Sequence, residues 1–116
     1  MVKVYGIPNC NTVKNAMEWL KANQIEFEFN NFKKLGISES KLKEWSDQVG
    51  WEALINKRGT TWKKLDVQIQ ENIVDEKSAF AIMQEKTSLI KRPVMETSNA
   101  LFLGFDKERY RELLNS

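Results

Sequence analysis

Residues 5–14 read Tyr5-Gly6-Ile7-Pro8-Asn9-Cys10-Asn11-Thr12-Val13-Lys14, and the fold turns on this stretch. Val2 to Tyr5 is a short β-prone run that Gly6 ends, and Pro8 bars helix before it, so residues 6–9 form a loop. From Thr12 the spacing becomes helical. Val13, Ala16, Met17 and Leu20 share one apolar face, with Lys14, Glu18 and Lys21 pointing elsewhere. Asn9 or Asn11 can act as N-cap. The helix ends near Asn23, and Ile25 to Phe29 alternates apolar with acidic residues as a half-buried strand does. Strand, helix and strand in this order predict two parallel strands joined by a right-handed crossover in a layered α/β sheet.

Beyond Gly36, Ser38-Glu39-Ser40 opens a second helix carrying Leu42, Trp45 and Val49, which Gly50 stops. Trp51 to Ile55 reads as one further helical turn. A polar loop, Asn56-Lys57-Arg58-Gly59-Thr60-Thr61, precedes helical segments around Leu65 to Ile73 and Glu76 to Lys86. Leu89-Ile90-Lys91-Arg92-Pro93-Val94-Met95 sets a proline before a β-prone run. A turn at Glu96-Thr97-Ser98-Asn99 then returns the chain along Ala100 to Leu103, which makes a hairpin. Gly104 ends it, and Asp106 caps a last helix that buries Tyr110, Leu113 and Leu114. The order is β-α-β, helices, then β-β-α. It predicts a mixed four-stranded sheet with its first half parallel and its hairpin antiparallel.

A chain of 116 residues is expected to form one domain, residues 1–116, with a helical insert at about 38–86. At that length it buries roughly two-thirds of its unfolded surface. Eighteen basic residues against sixteen acidic leave a net charge of +2, too little for a strong nonspecific pull toward nucleic acid or anionic lipid. The pairs Lys57-Arg58, Lys63-Lys64 and Lys91-Arg92 are interleaved with acids, which argues against a nucleic-acid patch. The apolar runs fall short of a bilayer crossing, and MVKVYG has no apolar core of a secretory signal, so the expected setting is the cytoplasm, with no membrane partner.

Cys10 is the single cysteine, and the chain has no histidine. An intramolecular disulfide is therefore impossible, a cysteine–histidine zinc site cannot be assembled, and any nucleophile must be activated without imidazole. A lone cysteine commonly packs as a small apolar group. Cys10, however, lies between two asparagines where a helix begins, with that helix's unpaired N–H groups turned toward it. A thiol near pKa 8.5 is only about 3% thiolate at pH 7. A helix dipole supplies part of the stabilisation needed to ionise it, and nearby cations must supply the rest. Lys14 is the local candidate, and Arg58 and Arg92 are distant ones.

At these residues the chain resembles the thioredoxin-fold proteins that include glutaredoxin-linked arsenate reductases and Spx-type transcription regulators. Tyr5 to Lys14 is similar to that family's x-Pro-x-Cys-x-Thr-x-(Lys/Arg) nucleophile loop, and Lys91-Arg92-Pro93 to its Arg-Pro segment. Residues 50–65, with Leu103-Gly104-Phe105, look most like the branch called YffB-type, which is glutathione-linked. The resemblance implies a thioredoxin-like α/β fold in which Cys10, Arg58 and Arg92 converge and a cis Pro93 faces the thiol. It implies a thiol reductase with Cys10 and Arg92 catalytic, and with Asn9, Asn11, Thr12, Lys14, Arg58 and Pro93 binding the substrate. Glutathione is the implied co-substrate, glutathione or glutaredoxin the partner, and neither metal nor nucleotide takes part. Arsenate reductases of this family hold the oxyanion with three arginines. The position of the third reads Gly104 here, so a glutathione-linked thiol or disulfide fits better than arsenate. The alternative is an Spx-like regulatory module without turnover, whose helical insert binds a protein partner; Trp45, Trp51 and Trp62 could anchor it, although tryptophans in a chain this small mostly fill core volume.

Overall fold

The computed structural model describes residues 1–115, with side chains through residue 113. The first strand, β1 (Val2–Gly6), is followed by α1 (Asn11–Ala22), β2 (Phe27–Asn31) and a single turn, α2 (Phe32–Leu35). A helical series then runs through α3 (Glu39–Val49), α4 (Trp51–Leu54), α5 (Thr60–Lys63), α6 (Val67–Glu71) and α7 (Glu76–Glu85) to a 3-10 turn at Thr87–Leu89. The chain closes with β3 (Val94–Glu96), β4 (Leu101–Leu103), α8 (Lys107–Tyr110) and a 3-10 turn at Arg111–Asn115.

The four strands form one mixed sheet in the order β2-β1-β3-β4. β1 runs parallel to β2 from Val2↔Phe27 to Gly6↔Asn31. It runs antiparallel to β3, with Tyr5 opposite Val94. β3 and β4 make the antiparallel hairpin, Val94 opposite Leu103. This is the sheet that the order of elements predicts.

By its contacts the chain divides into two compact units, residues 1–35 with the chain from Arg92 onward, and Gly36–Lys91. In the sheet unit Val4, Ala16, Leu20, Met95, Phe102 and Tyr110 form a buried cluster, so the apolar face read from the helical spacing of α1 is the one that packs on the sheet. Gly6 matters to that packing. A Cβ at Gly6 would stand 2.8 Å from Val13 Cγ2, closer than real carbon atoms approach. The bare backbone at Gly6 lets the end of β1 touch the first turn of α1, and this sets the loop that carries Cys10.

In the helical unit α3 packs on α4 and α7, around buried Leu42, Trp45, Leu54, Ala79, Phe80, Met83 and Leu89. Ser38 is the N-cap of α3 and accepts the Lys41 N–H at 3.1 Å. Replacing Ser38 with Ala removes that acceptor and is expected to cost about 1 kcal/mol, read as a lower urea midpoint at unchanged m-value.

The structure departs from the sequence reading in several places. The N-cap of α1 is Cys10 itself, neither Asn9 nor Asn11, and Asn11 is the first helical residue. β2 begins two residues later than Ile25, because the Ile25 N–H is spent on the Leu20 carbonyl at 2.9 Å and Gln24 turns the chain at φ +58. α2 and α5 are single turns that apolar periodicity does not resolve. Trp45 is fully buried, in keeping with the core reading of the tryptophans, while Trp51 and Trp62 are only half-buried. Asp106 caps α8 by accepting the Glu108 N–H at 2.9 Å, Tyr110 is buried and Leu113 half-buried. The expected burial of Leu114 lies outside the described side chains.

Candidate active site

Cys10 sits where β1 has ended and α1 begins, its backbone extended at φ −107° and ψ 124°, and its carbonyl accepts the Lys14 N–H at 3.0 Å. An extended N-cap points its side chain at the first turn, where the N–H groups have no partner within the helix. As a neutral thiol Cys10 closes no capping hydrogen bond. The N–H groups of Val13 and Thr12 nevertheless face the sulfur, and the Arg92 guanidinium lies within hydrogen-bonding reach of it.

These groups set the acidity of the thiol. Partial burial pushes its pKa up, but the Val13 N–H, the Arg92 hydrogen bond, the Thr12 N–H and the Arg92 charge together outweigh that, so the net shift is downward. A thiol is a weak acceptor and a thiolate a strong one, so each of these donors gains more from the ionised form. Cys10 is only partly buried and remains open to a reaction partner.

Arg92 reaches Cys10 because β3 lies beside β1: Tyr5 pairs with Val94, two residues past Arg92. The Arg92–Pro93 peptide is cis, as the resemblance implies, and Pro93 is buried. Asn9, Asn11 and Thr12 are exposed around the sulfur. Lys14 is exposed one turn along α1 and is not among the groups that lower the thiol's pKa; that work falls to Arg92. Arg58 belongs to the helical unit, exposed in a turn where its N–H donates to Asn56 Oδ1 at 3.2 Å. Val13 entered the sequence reading only as part of an apolar face; its contribution here is its backbone N–H, which every helix offers at this position and which only the Cys10 cap makes useful.

A cavity of about 670 Å³ lies elsewhere in the sheet unit, lined by Met1, Val2, Thr97, Asn99 and Glu112 at the Val2 end of β1. It has no cysteine, and Cys10 follows the opposite end of that strand. No cluster of potential metal ligands occurs among the described residues. No helix among them is long and apolar enough to cross a membrane.

The profile of the ArsC family matches residues 5–113, from the first strand to the last described turn. This chain belongs to the ArsC family. It is 38% identical over 111 residues to an uncharacterized protein of Haemophilus influenzae, covering 96% of each chain. It is 28% identical over 116 residues to the global transcriptional regulator Spx 1 of Oceanobacillus iheyensis, covering 98% of this chain and 87% of that one. The solved structure of a YffB protein superposes with a TM-score of 0.90 at 34% identity, over 97% of both chains. The mixed four-stranded sheet is that of this family's thioredoxin-like fold.

Proposed function

We propose that the chain is a thiol-dependent reductase of the ArsC family that uses Cys10 as its single nucleophile and an outside thiol, glutathione or glutaredoxin, to complete the cycle. The observation that supports this most directly is the lowered pKa of the thiol, brought about by the Val13 N–H, Arg92 and the Thr12 N–H around a partly exposed sulfur.

In the first step the Cys10 thiolate attacks the glutathione sulfur of a mixed disulfide. A bond forms between Cys10 and glutathione, the disulfide bond breaks, and the substrate leaves as a thiolate that takes a proton from water. In the second step a glutathione thiolate attacks the glutathione sulfur held on Cys10. Oxidised glutathione leaves with the two electron deficits of the original disulfide, and Cys10 returns as thiolate. Arg92 stabilises the sulfur anion at both ends of the cycle. Asn9, Asn11 and Thr12 supply exposed polar groups for the incoming thiol, and Pro93 shapes the backbone beside it. A single cysteine cannot resolve its own adduct, so the second thiol must come from outside.

A disulfide is favoured over arsenate because Gly104 offers no side chain where a third guanidinium would complete the cage for a tetrahedral oxyanion. Gly104 also stands at φ +77°, a conformation that strains an arginine. The similarity to Spx supports a second reading, a regulatory module that binds a protein partner without turnover. Co-purification separates the two: a partner retained equally by wild type and Cys10→Ser favours the module, whereas a mixed-disulfide adduct lost in Cys10→Ser favours the reductase.

The pH dependence of Cys10 alkylation by iodoacetamide tests the reading. Because the folded pKa is lowered, the reactive form persists as pH falls below the ordinary thiol range, and the rate is expected to drop only through that lower pKa. A midpoint equal to that of free cysteine would overturn the assignment.

A further inference from the structure

Tyr110 is a buried phenol that the chemistry above does not use. Trp19, Phe102 and Phe105 hold its ring edge-on, at centroid separations of 5.6, 5.7 and 5.1 Å. A phenylalanine would fill this nest equally well, and a buried hydroxyl is costly unless it is bonded. Here the hydroxyl donates to the Gly104 carbonyl at 2.9 Å. Burial of the phenol raises its pKa far above the ordinary value, which keeps it a donor throughout the neutral range.

Gly104 is where the hairpin leaves the sheet, at φ +77°, with open space where a Cβ would be. Nothing in its own side chain fixes its conformation, and glycine is the residue with the most backbone freedom to lose. Hydrogen bonds pin it on both sides instead. Its carbonyl is held by Tyr110, and its N–H donates to the Pro93 carbonyl at 2.9 Å, extending the β3–β4 ladder one step past Val94↔Leu103. Pro93 directly follows Arg92, whose guanidinium faces the Cys10 sulfur. Two hydrogen bonds thus connect the phenol to the backbone that carries the activating cation.

We propose that Tyr110 is a positioning residue for Cys10: by pinning Gly104, and through it Pro93, it fixes the backbone from which Arg92 is aimed at the sulfur. The inference rests on the reading of Cys10 as an activated nucleophile. It assigns Tyr110 no contact with substrate.

The test is the midpoint of Cys10 alkylation by iodoacetamide in wild type, Tyr110→Phe, Arg92→Ala and the double variant, each shown to be folded by circular dichroism. Tyr110→Phe keeps the ring in its nest and removes only the hydroxyl. The midpoint is expected to rise by roughly half a pH unit, about three-fold less thiolate below it, since thiolate fraction follows the pKa. The double variant is expected to match Arg92→Ala alone, because the hydroxyl acts through the guanidinium. A Tyr110→Phe midpoint equal to that of wild type overturns the proposal, and so does a shift that adds fully to that of Arg92→Ala. A wild-type midpoint at the free-cysteine value overturns the nucleophile reading itself, and this proposal with it. A depressed wild-type midpoint that Tyr110→Phe leaves in place removes only the role of Tyr110.

Discussion

Cys10→Ser is expected to lose glutathione-dependent reduction of a small disulfide such as hydroxyethyl disulfide, by ~10³-fold or more, while folding as well as wild type. A serine hydroxyl cannot replace the sulfur. Its alkoxide is inaccessible at neutral pH without a general base, the chain has no histidine to serve as one, and oxygen does not exchange with disulfides. The fold is protected for a structural reason. Cys10 is the N-cap of α1, and serine is a better capping residue than cysteine, able to accept the Thr12 or Val13 N–H that now faces the sulfur. The thermal midpoint should therefore hold or rise slightly as activity disappears, which separates lost chemistry from lost structure. The measurement couples oxidised glutathione to NADPH consumption through glutathione reductase. Residual turnover well above that of the buffer would show that reduction proceeds without Cys10, and the proposed cycle would fall. Arg92→Lys gives an intermediate case, because it keeps the charge and loses the planar fork that reaches the sulfur.

Much of this arrangement is legible in the sequence because punctuation and periodicity agree there. Gly6 and Pro8 end β1, the spacing of Val13, Ala16 and Leu20 builds the face that α1 buries, and the proline and glycine around the hairpin bound β3 and β4. The losses occur where tertiary hydrogen bonding decides. Residues 25–29 alternate correctly, yet Ile25 closes the end of α1 and the parallel register starts β2 at Phe27. The asparagines beside Cys10 are better capping residues by type, but the helix begins at Asn11 with the cysteine as its cap, and the close fit of Gly6 against Val13 is a tertiary contact that residue type does not reveal. The pairing of Cys10 with Arg92 has no local signal at all. It exists because β3 lies antiparallel to β1, and in the sequence only the resemblance in the Arg-Pro segment implies it. Tyr110 illustrates the converse: its apolar spacing predicts burial correctly and hides the use of its hydroxyl.

Trp45→Ala is expected to destabilise the protein by about 3–5 kcal/mol, a large share of the roughly 5–15 kcal/mol that holds a domain of this size. Trp45 is fully buried on α3, whose neighbours α4 and α7 contribute Leu54, Ala79, Phe80 and Met83 to the same buried set. Removing an indole there forfeits its transfer free energy and leaves a void that helices joined by short turns cannot close. Trp62 provides the contrast within the same unit. It is half-buried, its ring lies 5.3 Å beneath the Lys57 ammonium, and its carbonyl, which accepts Gln70 Nε2 at 2.8 Å, is retained in any substitution. Trp62→Ala should therefore cost about 1 kcal/mol, a typical value for a partly exposed position. Urea titration followed by far-ultraviolet circular dichroism measures both without depending on the fluorescence of the residue removed. If the helical unit used Trp45 as an anchor for a partner, Trp45→Ala would weaken capture of that partner at nearly unchanged stability; the burial of the indole requires the opposite, with stability lost first and any binding defect following from it.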